Sequence, residues 1–255
     1  MLSELRQVIR VVQNGIIEQK RLVGMVLLWI VACICWGILN FGKTYQFYHV
    51  DVSTADFLIL LQNSWNFGVM VLPLMLFLVM RCKQDSLNVQ RLLRYGSRSR
   101  MLRIQFMESA IYAVYNTLVV IVIESIAAYS LTGVWINWGE TGSLYYSQVG
   151  AVTDVVFGTV AMTVGMLYFL KYMMMFSFLD LLFWNPRYMF VIWILLIVLA
   201  GTDRLGRTGF YQIFSIQFGI WNSPRVILTA ILGGIGIIGV EYLVGVMKVR
   251  KRDIF

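Results

Sequence analysis

Four acidic residues lie inside long apolar runs of this chain: Glu108, Glu124, Asp154 and Glu241. A charge at mid-bilayer costs about 2.5–3.5 kcal/mol on insertion scales, so each must face protein or water, or lie near an end where it reaches the headgroups. Glu124 is the most deeply placed, with Asn116 about two turns away along the same run. Two readings stand for Glu124. It lines a polar pathway or pairs across a subunit interface, or it is a protonated or hydrogen-bonded packing carboxyl. Glu108, Asp154 and Glu241 fall near run ends, where snorkelling lowers the cost. A second polar group, Gln62, Asn63, Ser64 and Asn66 around Trp65, is too polar for lipid contact and is expected to face protein or water. The candidate pathway or interface residues are therefore Glu124, Asn116, Asn63 and Asn66.

Recognisable enzyme chemistry is missing from the sequence. No G-x-x-x-x-G-K-[ST] occurs for binding ATP, and the single histidine, His49, excludes H-E-x-x-H zinc chemistry. There is no G-x-S-x-G nucleophile elbow. No catalytic residue and no metal site is assigned. Met173, Met174 and Met175 read as flexible packing, because copper-binding methionines are expected in the company of histidine or cysteine. Cys33 and Cys35 lie in the first apolar run and Cys82 just beyond the second, which implies no disulfide framework.

The elements that must position these residues are membrane helices. Hydrophobic residues make up 59% of the chain and charged ones 13%, far from the roughly 25% charged content of soluble domains. Runs of about 20 apolar residues span the hydrocarbon core, and helices satisfy their own backbone. The expected fold is all-α and integral to the membrane, a single domain over 1–255. Six spans are expected, at 22–41, 57–80, 105–131, 149–170, 186–201 and 224–247. Residues 1–21 read as an amphipathic interfacial helix with Leu2, Leu5, Ile9, Val12 and Ile16 on one face, kinked at Gly15 and not followed by a signal-peptide cleavage site. Lys171 ends span four, while Asn185-Pro186 and Asn222-Ser223-Pro224 cap spans five and six. Residues 203–223 suit a half-inserted outer segment, Trp135 and Trp138 interfacial anchors, and Gly233, Gly236 and Gly239 close helix packing.

The net charge of +8 is an orientation signal rather than a nucleic-acid footprint, since lysine and arginine cluster at run ends. Seventeen lie on the side that holds both termini and four on the other, which places the termini in the cytoplasm.

Between spans two and three, residues 85–95 form an expected short helix. Asp85 or Ser86 caps it, Val89, Leu92 and Leu93 share one face, and Gly96 stops it. Ser97 or Ser99 then caps span three, whose first turns carry Arg98, Arg100 and Arg103 at headgroup level. A basic inner loop that only sets orientation is the plain alternative. The stretch D-S-L-N-V-Q-R-L-L-R-Y-G-S-R-S-R resembles the coupling-helix region of type-2 ABC transporter permeases, at Ser86, Leu87, Leu92, Leu93, Gly96, Ser97, Arg98 and Arg100. The layout of the whole chain is similar to the small six-span bacterial members that serve peptide-antibiotic export or self-immunity.

The resemblance implies the transmembrane subunit of an exporter of a peptide, antibiotic or lipid-like amphiphile in a bacterial plasma membrane. It implies a second permease, identical or related, as partner, with lipid around the pair. ATP and magnesium would be bound by separate cytosolic ATPase subunits, which the 85–95 helix would touch. A passive channel or secondary carrier is the alternative, then an intramembrane enzyme or scaffold. A carrier is expected to show paired charges and related halves.

Overall fold

In the computed structural model, residues 2–47, 49–83, 98–150, 155–182 and 224–251 are described. Among them the chain is helical, with one isolated β-bridge between Asp51 and Ser143. Five helices are long and apolar enough to cross a membrane: Lys20–Gln46, Asn66–Lys83, Arg100–Thr132, Phe157–Leu181 and Arg225–Met247. This is the build of a multi-pass membrane protein. The expected span at 186–201, the outer segment 203–223, the helix at 85–95 and Asp154 lie outside the described residues.

Helix α1 (Leu2–Glu18) runs straight through Gly15. The glycine allows contact instead of bending, because a Cβ there would meet the Cys82 carbonyl oxygen at 2.7 Å. Val8 and Val12 are buried with it, while Leu5 and Ile9 stay exposed. The helix thus has two apolar flanks, one packed on the protein and one exposed among the described residues. Of the face read from the sequence, Val12 packs inward and Leu5 and Ile9 face out. α2 (Lys20–Phe47) follows almost without a break.

The expected second span, 57–80, is interrupted. α3 (Thr54–Leu60) ends, the chain turns, a π-helical segment covers Ser64–Val71, and α4 (Leu72–Lys83) completes it. Asn63 shapes the break: its Oδ1 accepts from the Asn66 backbone N–H at 2.8 Å and its Nδ2 donates to the Leu60 carbonyl at 2.8 Å. Pro73 lacks an N–H for the carbonyl four residues earlier, and the wider π turns lie on that side.

α5 (Arg98–Thr132) is 35 residues long, about 50 Å, and so extends past a ~30 Å hydrocarbon core. Gly133 ends it at φ 66, its N–H donating to the Tyr129 carbonyl at 2.8 Å. α6 (Leu144–Val149) is capped by Ser143 and stops at Gly150, whose φ of 93 breaks the helix. The fourth span therefore differs at both ends from 149–170. It is α7 (Phe157–Leu182), which continues eleven residues beyond Lys171. Lys171 is buried within it at 3% exposure, so this lysine marks no span end and leaves the inner-side charge count. α8 (Pro224–Lys251) begins at the expected proline.

α7 is the centre of the bundle, packed on α5 and α8. About 72% of its apolar window is buried, against 6% for α8. Gly165 permits the close approach of α5, since a Cβ would meet Ile121 Cδ1 at 2.8 Å. Among the described residues, nothing lies within 4 Å of a Cβ at Gly233, Gly236 or Gly239. The helix contact on α8 falls at Gly245 instead, 2.8 Å from Leu181 Cδ2.

At the end of the bundle that holds Gly133, Thr54 and Ala55 donate their backbone N–H groups to the Val134 and Trp135 carbonyls. Trp138 is no interfacial anchor. It is 1% exposed, stacked on Tyr145 at 4.0 Å, and donates Nε1–H to Asp56 Oδ1 at 2.8 Å. Trp135 is exposed and stacks on Tyr129 at 4.2 Å, as an anchor would. Asp56 lies outside the five candidate spans, and its Oδ2 also accepts from the Ser53 N–H and hydroxyl at 2.8 Å each. Burial pushes its carboxyl above the usual aspartate range, while the Ser53 and Trp138 hydrogen bonds oppose that shift. Because the folded protein then holds this proton more tightly than the unfolded chain, the stability gained is full below the ordinary aspartate range and is lost as pH rises through the raised value. The difference in melting temperature between the protein and Asp56→Asn should vary with pH in that sense; parallel curves would contradict it.

Candidate functional site

The polar residues read from the sequence converge on a buried cluster in the middle of the bundle. α5 places Asn116, Thr117, Val120 and Glu124 on its inner side, because spacings of three and four residues keep them together. α7 places Tyr168, Lys171 and Tyr172 opposite, at i, i+3 and i+4, all buried. The break in the second span adds Gln62 and Asn66, and α2 adds Cys33.

Glu124 is 2% exposed. Its Oε1 accepts the Tyr168 hydroxyl at 2.8 Å, whereas its Oε2 has no hydrogen-bond partner among the described residues. Lys171 Nζ stands 5.0 Å from the Phe67 ring centre and 5.7 Å from that of Tyr168, within cation–π range. It also donates to Gln62 Oε1 at 3.4 Å. Cys33, Asn66, Phe67, Glu124 and Tyr168 line one cavity, with room for about one water molecule. Asn116 Nδ2, Thr117 Oγ1, Gln62 Nε2 and the Tyr172 hydroxyl are also buried without a hydrogen-bond partner among the described residues. Such groups are uncommon in a protein interior and call for an explanation.

Of the four candidate pathway residues, Glu124 and Asn66 share the cavity. Asn116 lies buried further along α5, and Asn63 holds the helix break. Tyr168 and Lys171 were not among the candidates, although a lysine flanked by Tyr168 and Tyr172 inside an apolar stretch was a readable signal. In the basic segment, Ser86, Leu87, Val89, Leu92, Leu93, Gly96 and Ser97 lie outside the described residues. Arg98 opens α5, and Arg100 pairs with Glu4 of α1 at 3.1 Å in an exposed setting.

A second polar cluster joins three helices near the end of the bundle that packs on α1. Lys83 of α4 is 2.9 Å from both carboxylate oxygens of Asp180 on α7, and it also donates to the Ser109 hydroxyl of α5. Ser109 in turn donates to Asp180. The side chains of Lys83 and Asp180 are 6% and 8% exposed. Neither Glu108 nor Glu241 snorkels as expected: Glu108 is buried at 2%, and the partly buried Glu241 accepts a hydrogen bond from Ser177 of α7. The methionines at 173 and 175 pack in the core. No protein-family model, curated protein or solved structure matches the chain.

Proposed function

We propose that this chain is the transmembrane subunit of an ATP-driven ABC exporter in a bacterial plasma membrane. It has six spans and cytoplasmic termini, and it moves a peptide, antibiotic or lipid-like amphiphile. The reading rests on the 85–95 segment as a coupling helix, with Ser86, Leu87, Val89, Leu92, Leu93, Gly96, Ser97, Arg98 and Arg100 contacting a separate ATPase. A second permease subunit completes the pathway.

The observation that carries this reading is the framework around that segment. α1 packs on α4 and α5, the two helices that flank residues 84–97, through Gly15, Val8 and Val12 and the Glu4–Arg100 pair. The Lys83–Asp180 bridge fixes the last described residue before the segment to α7. A push on 85–95 would therefore reach α1, α5 and α7 together. ATP binding would supply the bias between the two states of the bundle.

A secondary carrier is the second reading. The interrupted second span beside a buried carboxyl favours it, since transporters place ion sites where helices break. Efflux of a fluorescent amphiphilic peptide from cells expressing the chain with its ATPase separates the two. Exporter action predicts efflux that stops when the ATPase P-loop lysine is replaced. Efflux that persists and follows the proton gradient would favour the carrier.

A further inference from the structure

We propose that Glu124 is a proton-binding site within the membrane, taking up and releasing one proton through the cavity it lines. The carboxyl is buried to 2% exposure, one oxygen is committed to Tyr168, and the other is unmet among the described residues. Uptake places the proton on Oε2, converting a hydronium ion in the cavity to water; release is the reverse.

The size and lining of the cavity select the ligand. Space for about one water molecule is too small for an organic ammonium group. A metal ion would want several oxygen ligands and would sit near the Lys171 ammonium, which lies against the Tyr168 ring that the carboxyl also uses. A proton needs neither. The surroundings serve both forms of the acid. Lys171 and the Tyr168 hydroxyl suit the carboxylate, while the Asn66 amide, which also lines the cavity, offers a donor and an acceptor, and Ile34 and Val120 suit the neutral acid.

Among the described residues, the titratable groups facing the site are Tyr168, Lys171 and Tyr172 from α7 and Cys33 from α2. The break in the second span presents only the amides of Gln62 and Asn66 and the Phe67 ring. Glu124 is thus the one carboxyl among them.

Infrared difference spectroscopy of the purified protein between roughly pH 5 and 9 reads this carboxyl directly. The expected result is a protonated-carboxyl C=O band that grows on acidification, is lost in Glu124→Gln, and shifts in frequency in Tyr168→Phe. The last variant keeps the carboxyl and supplies the readout if Glu124→Gln fails to fold. No pH-dependent carboxyl band in the wild type, a band unchanged in Glu124→Gln, or one at the same frequency in Tyr168→Phe would overturn the proposal. None of these signals requires an ATPase, so they stand or fall apart from the exporter reading.

Discussion

Asp180→Asn is expected to destabilise the folded protein by about 3–5 kcal/mol, the cost typical of removing one partner from a buried ion pair. The carboxylate takes two hydrogen bonds from Lys83 and one from Ser109, so removing its charge weakens the contacts that join α4, α5 and α7. An asparagine keeps the volume and can accept with only one oxygen, while its amide faces the Lys83 ammonium with the wrong polarity. Replacing both charged residues, Lys83→Met with Asp180→Leu, should recover much of the loss, because desolvating two charges offsets most of their attraction. Thermal unfolding in mild detergent, run as a double-mutant cycle, measures the difference. If Asp180→Asn melts with the wild type, the cluster does not hold the helices together.

That cluster also shows where sequence reading stops. The apolar runs revealed five of the long helices, since the need to satisfy the backbone in lipid leaves few alternatives to helices. Pro224 marked the start of α8. What failed were inferences from single residues such as Lys171 and Trp138. Lys171 read as a boundary because a lysine at the end of an apolar window resembles one. Its true neighbours, Gln62, Phe67 and Tyr168, come together only when α7 packs beside the break in the second span. Trp138 read as a membrane anchor, and only the folded loop shows it buried on Tyr145 with its indole bound to Asp56.

The candidate site was legible in part. Glu124 and Asn66 stood out because polar groups in apolar runs are expensive, and the two line one cavity. Asn63 was visible as a polar residue but not as the residue that shapes the break. A helix interruption depends on which carbonyls its side chain reaches, and composition does not encode that. Gly15 and Gly165 meet neighbours closely, while Gly233, Gly236 and Gly239 meet none among the described residues. Small size permits close packing, and the partner helix decides whether it happens.

The account turns on residues 85–95 as the contact with an ATPase. On the proposed helix Leu92 and Leu93 share an apolar face with Val89, so two aspartates there would put charge into the docking surface. The direct measurement is co-purification, in mild detergent, of the chain with the ABC ATPase encoded beside it, comparing wild type with the Leu92→Asp, Leu93→Asp double variant. The account predicts that the wild type holds the ATPase and that the variant, inserted in the membrane at normal level, loses both the ATPase and peptide efflux. A double variant that retains both would contradict it.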